Sequence, residues 1–196
     1  LRIKDQRVLE VMARTSPEAF LPNTPRHVVY EDIPLPIGYG QTISQPLIVA
    51  MMIEALSLTG SESILEVGTG SGYQTALLAQ LANEVVSVER IPELPVSAQM
   101  RFKLLKLKNV KIEVAIDVLG FPGCAPYHRI IVSAASPKIP ITLLDQLCDN
   151  GVMVIPVGSR LEQDLQRITK LRVGMNIQKL GLCRFVPLVG LEAWER

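Results

Sequence analysis

Two short stretches of the chain carry side chains that could do chemistry. The first, YGQTISQPLIVAMM, places the hydroxyl residues Thr42 and Ser44 directly before an apolar run with helical character. These hydroxyls could donate hydrogen bonds to an anionic substrate, and backbone amides at the start of a helix favour an anion in the same place. The alternative is that Ser44 only caps the helix and stabilises it by about 1 kcal/mol.

The second stretch, LEVGTGSGYQTALLA, is rich in glycine and lies between a strand-like run and a helical run. Gly68, Gly70 and Gly72 allow the backbone to turn tightly and to approach a ligand closely. A glycine-rich loop without a ligand is the simpler alternative. The dinucleotide-binding pattern requires a further glycine where this chain has Tyr73, so a dinucleotide is not predicted.

Three carboxylates near the ends of predicted strands indicate what the loop binds. Glu66, just before the loop, would repel a pyrophosphate and attract a cation. Glu89 is placed to accept hydrogen bonds from ribose hydroxyls, and Asp117 could receive an adenine amino group. Glu89 or Asp117 alone is more simply a solvated loop carboxylate. Together they favour a nucleoside that carries positive charge, and S-adenosylmethionine has both an amino group and a sulfonium.

The elements that must position these residues follow an alternating pattern. The predicted strands are Ser63–Val67, Val85–Val88, Val110–Val114, Arg129–Ala135 and Val152–Val157. The predicted helices are Arg7–Ala13, a helix from Gln45 or Pro46 to about Leu58, Tyr73–Ala82, Leu94–Leu107 and Ile141–Cys148. Ser16–Gly40, rich in proline, is predicted to be ordered but irregular. The alternation predicts a mostly parallel sheet with helices on both faces, and LQRITKL with GLCRFVPLV predicts a final antiparallel hairpin.

Composition excludes several classes of protein. The 196 residues fit one domain, and a net charge of +1 with 20% charged residues is not typical of a nucleic-acid binder. Cys124, Cys148 and Cys183 have no paired spacing, which predicts no metal site and a reducing, cytoplasmic location. The charged start, LRIKDQRVLEVMA, predicts no secretory signal. The uncharged run from Ile33 to Ile53 contains prolines, glycines and polar residues, so no membrane span is predicted.

These motifs together resemble the protein-L-isoaspartate O-methyltransferases, also called protein repair methyltransferases. The resemblance covers nearly the whole chain and rests on PRHVVYEDIPLPIGYGQTISQP, ILEVGTGSGYQTALLA, VSVER, APYHRIIVSAA, VMVIPVG and RFVPLVG. Many methyltransferases share the glycine loop, whereas GQTISQP and RFVPL are more specific to this family.

The resemblance implies an enzyme that transfers a methyl group from S-adenosylmethionine to the α-carboxylate of L-isoaspartyl residues in damaged proteins, leaving S-adenosylhomocysteine. The ester then cyclises to a succinimide, whose hydrolysis returns some aspartate. The implied fold is a Rossmann-like α/β methyltransferase with a seven-stranded, mostly parallel sheet and an antiparallel C-terminal hairpin. We expect one monomeric domain, in which residues 1–58 form the substrate side and residues 59–196 the cofactor-binding core.

The resemblance also implies roles for individual residues. Ser44 would be the catalytic residue, with Thr42 and Ile43 lining the same substrate-binding place. The implied cofactor-binding residues are Glu66, Gly68, Thr69, Gly70, Ser71, Gly72, Glu89 and Asp117. The family usually has Gly-Asp-Gly where this chain has Ile116, Asp117 and Val118, and we therefore expect weaker contacts to adenine. Further departures are His128, which replaces an acid, and Pro95, within a segment that is usually plain helix.

Methylation of a carboxylate needs little machinery, which suits a chain whose only histidines are His27 and His128. With an ordinary pKa of about 3.5 to 4, the attacking carboxylate is already ionised at neutral pH and needs no base. Carboxylate and sulfonium neutralise one another as the methyl moves, so a dry pocket favours the transition state. Two alternatives stay open: a methyltransferase of the same fold with another acceptor, and a non-catalytic protein that binds isoaspartyl segments.

Overall fold

The computed structural model describes residues 3–195. Its helices are α1 (Gln6–Arg14), α2 (Arg26–Val29), α3 (Pro46–Ala55), α4 (Tyr73–Leu78), α5 (Glu93–Leu104) and α6 (Ile141–Asp145). Its strands are β1 (Leu35–Gly38), β2 (Gln41–Ile43), β3 (Ser63–Val67), β4 (Glu84–Glu89), β5 (Val110–Val114), β6 (Tyr127–Val132), β7 (Leu147–Gly158), β8 (Gln163–Lys170) and β9 (Met175–Cys183). Single 3-10 turns occupy Pro17–Phe20 and Pro122–Cys124. Within the described part of the chain, the helices are too short or too polar to cross a lipid bilayer.

Seven strands form the main sheet, in the order β5-β4-β3-β6-β7-β8-β9. The strands from β5 to β7 in this order pair in parallel, whereas β8 and β9 pair antiparallel. The central strands β3 and β6 are covered on both faces, as continuous β-branched runs such as SILEV predict. The predicted fold class, a Rossmann-like sheet with a C-terminal antiparallel hairpin, is therefore confirmed.

The two faces of the sheet bury separate apolar layers. Ile64 and Ile131 pack into one layer with α1, α3, α4 and α5, while Leu65 and Ile130 pack into the other with α6. Successive side chains of a strand point to opposite faces, so neighbouring residues in β3 and β6 enter different layers. The N-terminal helices α1 and α3 thus cover the same face of the sheet as α4.

The segment before α3 contains more regular structure than the sequence predicted. Within Ser16–Gly40, predicted as irregular, the chain forms α2 and β1, and β1 pairs antiparallel with β2. Tyr39 (φ 54°) and Gly40 (φ 69°) form the turn of this hairpin, and their positive φ values are typical of a tight two-residue connection. Pro34 and Pro36, just before and within β1, obscured the strand pattern. The hairpin matters because β2 carries Thr42 and Ile43.

Helix ends also differ from the prediction. The helices α3, α4, α5 and α6 end three or four residues earlier than predicted. After α6, the side chain of Gln146 accepts a hydrogen bond from the Phe121 amide at 2.8 Å and donates one to the Leu119 carbonyl at 2.8 Å. These tertiary contacts hold the chain as it turns into β7, and local helical propensity gives no sign of them.

Candidate active site

A cavity of about 920 Å³ opens at the carboxyl ends of the parallel strands. Its walls come from the residues that end or follow β3, β4, β5 and β6, with one further wall from the C-terminal segment 186–195. This is the edge of the sheet where doubly wound folds bind their ligands. The volume lies within the usual range for small-molecule sites.

The glycine loop after β3 reaches this cavity through Gly68, whereas Gly70 lines a smaller neighbouring space of about 60 Å³. Gly68 and Gly70 have φ values of 99° and 53°, which residues with a side chain rarely adopt. A Cβ on Gly68 would lie 3.4 Å from Ser133 Cβ, and a Cβ on Gly70 would lie 3.4 Å from Ile37 Cδ1 in the β1–β2 hairpin. The loop is therefore enclosed between the sheet and the hairpin, with its backbone facing the ligand space.

Gly72 is required for a different reason. It also has a positive φ, 86°, and a Cβ there would lie 2.8 Å from Phe102 Cζ and 3.0 Å from Ala98 Cβ. Gly72 thus lets α5 pack closely on the loop, and it does not line the cavity. Gly72 lies outside the lining of the neighbouring pockets as well, and its predicted role in cofactor binding stays a prediction.

Thr69 and Ser71 turn their hydroxyl groups into the protein. Thr69 Oγ1 lies 2.6 Å from Ser87 Oγ, and Ser71 Oγ accepts a hydrogen bond from the Tyr73 amide at 3.3 Å. Both residues line a small space of about 60 Å³ between the glycine loop and Ser44. Because both are almost fully buried, they offer a ligand mainly their backbone.

Glu89 lies at the end of β4 with its carboxylate on the cavity wall. One oxygen accepts a hydrogen bond from the Gly70 amide at 2.9 Å, and the other accepts from the amides of Arg90 and Ile91 at 2.8 and 2.9 Å. A carboxylate has about four acceptor positions, so about one remains for a ligand hydroxyl. Glu89 therefore fixes the glycine loop and also lines the cavity.

Glu66 is fully buried behind the loop and does not reach the cavity. Its carboxylate accepts hydrogen bonds from Gln74 Nε2 at 2.9 Å, from Ser87 Oγ at 2.6 Å and from Thr75 Oγ1. Burial raises the pKa of Glu66 to about 7, although these three donors oppose the shift. The sequence suggested that Glu66 attracts a cationic ligand directly. In the structure its carboxylate is instead bonded to three internal donors.

Asp117 lies at the rim of the cavity, on the loop after β5. Its neighbours Ile116 and Val118 also line the rim, and all three side chains are exposed. Asp117 therefore lies beside the cavity on an exposed loop, and its contact with adenine stays a prediction.

A second pocket, of about 130 Å³, holds the predicted substrate residues. Thr42 and Ser44 line it together with Arg184, Phe185 and neighbouring residues after β9. Ile43 and Ser44 also line the 60 Å³ space that faces the glycine loop. The structure thus brings the TIS segment and the glycine loop to two sides of one junction.

Ser44 is not the cap of α3. The N-cap residue is Gln45, which makes no capping side-chain bond, so the alternative that Ser44 only caps the helix is wrong. Asp32 supplies the cap instead, because its Oδ1 accepts a hydrogen bond from the Leu47 amide at 2.9 Å. One of the helix-start amides that were expected to attract a substrate anion is therefore already paired with Asp32.

Neither histidine can serve as a base at this junction. His27 is exposed on α2, and His128 accepts a hydrogen bond from the Ser63 amide at 3.1 Å, at the amino end of β3. The cavities described above contain neither residue. The site is therefore built for a reaction that needs no proton transfer to histidine.

Comparisons with known proteins agree with this geometry. A family model described as Protein-L-isoaspartate(D-aspartate) O-methyltransferase matches residues 2–193. The protein-L-isoaspartate O-methyltransferase of Dictyoglomus turgidum is 51% identical over 193 residues, which cover 98% of this chain and 88% of the relative. Protein-L-isoaspartate O-methyltransferase 1 of Syntrophobacter fumaroxidans is 48% identical over 193 residues, which cover 98% and 90% of the two chains.

Two solved structures of similar proteins extend the comparison. One is described as a protein-L-isoaspartate O-methyltransferase; it is 26% identical with a TM-score of 0.86, and the match covers 97% of this chain but 63% of the solved one. The other, from Plasmodium falciparum, is described as a protein-L-isoaspartate O-methyltransferase beta-aspartate methyltransferase in complex with S-adenosyl-L-homocysteine. It is also 26% identical, with a TM-score of 0.78 and coverage of 94% and 90%.

Proposed function

The chain belongs to the protein-L-isoaspartate(D-aspartate) O-methyltransferase family, and we propose how its own residues perform the family reaction. The enzyme transfers a methyl group from S-adenosylmethionine to a carboxylate of L-isoaspartyl residues in proteins, which begins their repair. The observation that carries the assignment of residues is the junction where the large cavity at the strand ends meets the pocket of Ser44.

The large cavity fits the cofactor in both size and chemistry. We propose that the backbone of Gly68 and Gly70 approaches the methionine part, Glu89 accepts a ribose hydroxyl, and Asp117 lies at the adenine end. Support comes from the positive φ values of Gly68 and Gly70, which favour glycine, and from the remaining acceptor position of Glu89. When bound, S-adenosylmethionine supplies an electrophilic methyl group on a sulfonium.

Ser44 is proposed as the residue that orients the substrate carboxylate. Its hydroxyl is half-buried, faces both the 130 Å³ pocket and the junction, and is not needed to cap α3. Thr42 and Ile43 complete the same wall. Because the carboxylate is ionised without help, the protein contributes alignment and exclusion of water, and alignment alone can lower the barrier by several kcal/mol.

We also propose one domain, in which residues 1–58 cover the substrate side and residues 59–196 hold the cofactor. The shared apolar layer of α1, α3, α4 and α5 supports a single unit. A cytoplasmic location is proposed because Cys124, Cys148 and Cys183 are free thiols, which suits a reducing compartment. A monomer stays a prediction that sedimentation can test.

A matched pair of peptides, identical except for isoaspartyl or aspartyl at one position, tests the function. With methyl-labelled cofactor, we expect a base-labile label on the isoaspartyl peptide and little on its partner. Equal labelling of both would indicate a different acceptor. Cofactor binding by calorimetry without any labelling would indicate a protein that binds but does not catalyse.

A further inference from the structure

Ser133, which no part of the sequence analysis selected, lies where the three cavities meet. It is the first residue after β6, and it lines the 920 Å³ cavity, the 130 Å³ pocket and the 60 Å³ space between them. Val186 is the other described residue that lines all three. Ser133 therefore brings a polar side chain to the place where cofactor and substrate must touch.

The hydrogen bonds around Ser133 determine which way its hydroxyl can act. Gln74 Nε2 lies 2.9 Å from Glu66 Oε1 and 2.8 Å from Ser133 Oγ. An amide nitrogen carries two hydrogens and accepts nothing, so Ser133 Oγ is the acceptor in this pair. The opposite amide orientation would place the Gln74 oxygen against the Glu66 carboxylate. The hydroxyl proton of Ser133 is therefore left to donate elsewhere.

A buried network holds Gln74 in this orientation. Glu66 accepts from Gln74, Thr75 and Ser87. Since the single proton of Ser87 goes to Glu66, the neighbouring Thr69 hydroxyl must donate to Ser87 Oγ, 2.6 Å away. The hydrogen bonds from Thr69 through Ser87, from Thr75 and from Gln74 thus all run toward Glu66. Gln74 donates its second amide hydrogen to Ser133.

We propose that Ser133 Oγ donates a hydrogen bond to the carboxylate of the isoaspartyl substrate and, with Ser44, holds it for attack. This inference rests on the proposed function. Donation to one carboxylate oxygen leaves the other free to form the new C–O bond to the methyl carbon, while the C–S bond breaks and its electron pair stays on sulfur. No proton is lost in this step, so Ser133 remains a neutral donor throughout.

In this arrangement Gln74 and Glu66 are positioning residues. Neither needs to touch the substrate, because the bond from Gln74 fixes the rotation of the Ser133 hydroxyl. Glu66, the acid before the glycine loop, contributes through Gln74 rather than by attracting the cofactor.

The test compares Ser133→Ala with Ser136→Ala. Ser136 lies on the same segment, and its Oγ is buried without a hydrogen-bond partner in the part of the chain that is described, which makes it a matched loss of one hydroxyl. We expect Ser133→Ala to lower kcat/KM for the isoaspartyl peptide about 10- to 100-fold, with the calorimetric Kd for S-adenosylhomocysteine changed less than about twofold. Ser136→Ala should leave both values unchanged.

Ser133→Thr provides a second arm, because it keeps the hydroxyl donor. It should recover most of the activity that the alanine variant loses. Gln74→Leu should lower kcat/KM when it is made in the unmodified enzyme. When it is made in the Ser133→Ala variant, it should cause little further loss of kcat/KM.

Three outcomes overturn the proposal. They are normal kcat/KM in a folded Ser133→Ala variant, a weakened cofactor Kd with unchanged peptide kinetics, and additive losses from Gln74→Leu and Ser133→Ala. Failure of the unmodified enzyme to methylate the isoaspartyl peptide would instead contradict the proposed function itself.

Discussion

Ser44 and Asp32 lie on either side of the start of α3, and substituting each separates catalysis from helix capping. The structure assigns the cap to Asp32, whose Oδ1 accepts from the Leu47 amide at 2.9 Å, and leaves Ser44 facing the substrate pocket. We therefore predict that Ser44→Ala lowers kcat/KM for the isoaspartyl peptide by roughly 10- to 1000-fold, or about 1.4–4 kcal/mol. Its free energy of unfolding should change by less than about 0.5 kcal/mol, because no capping bond is lost.

Asp32→Ala should show the opposite stability effect. It removes an anionic cap from the helix start, which costs about 0.5–2 kcal/mol in unfolding free energy. Urea unfolding and methyl transfer should be measured on the same preparation of each variant, and cofactor affinity by calorimetry. Asp32→Ala serves as the positive control, because it shows whether the unfolding measurement can detect the loss of a helix cap.

Two results would refute the assignment of Ser44. A folded Ser44→Ala enzyme with near-normal kcat/KM would mean that the hydroxyl does not orient the substrate. An equal loss of cofactor affinity would mean that the substitution distorts the junction rather than removing a donor. A stability loss as large as that of Asp32→Ala would show that the capping description is incorrect.

The other predictions concern the three acids. Glu89→Gln should weaken cofactor binding by about 1–3 kcal/mol, because it removes a charged acceptor; an unchanged calorimetric Kd in a folded variant would exclude the ribose contact. Asp117→Ala should raise KM for S-adenosylmethionine much more than KM for the peptide, whereas equal increases would indicate a collapsed loop. Glu66, with its pKa raised to about 7, should make the folded state less stable as pH rises from about 4.5 to 7, since the folded form binds the proton more tightly than the unfolded form. Glu66→Gln should flatten the dependence of unfolding free energy on pH in that window, and an unchanged slope would count against the raised pKa.

The sheet could be predicted from sequence because its signal is local. β3 and β5 have the predicted bounds, Ser63–Val67 and Val110–Val114, since β-branched runs bounded by polar or glycine residues are typical of buried strands. Ser133 was missed because the fourth strand was predicted to continue to Ala135, whereas β6 ends at Val132. A polar residue inside a predicted strand is not expected to bind a ligand. The same residue just beyond the carboxyl end of a parallel strand lies at the edge of the sheet where such folds bind ligands.

Glu66 shows the limit of arguing from distance along the chain. The sequence placed it close to the loop, but side chains alternate along β3, so Val67 lines the cavity while Glu66 lies against α4. Its partners Thr75 and Ser87 come from two other elements. Asp32 was hidden for the same reason, because the amide that it caps lies fifteen residues further along the chain.

The arrangement of acids explains how this site can accept an anionic substrate. The charge of Asp32 is offset by the start of α3, and that of Glu89 by three backbone amides. Glu66 is buried behind the glycine loop and accepts three hydrogen bonds from the protein. Among the described residues that line the 130 Å³ pocket, the charged one is Arg184. A carboxylate entering beside Ser44 would therefore meet hydroxyl donors and a cation, while Asp32, Glu66 and Glu89 are already paired with protein groups.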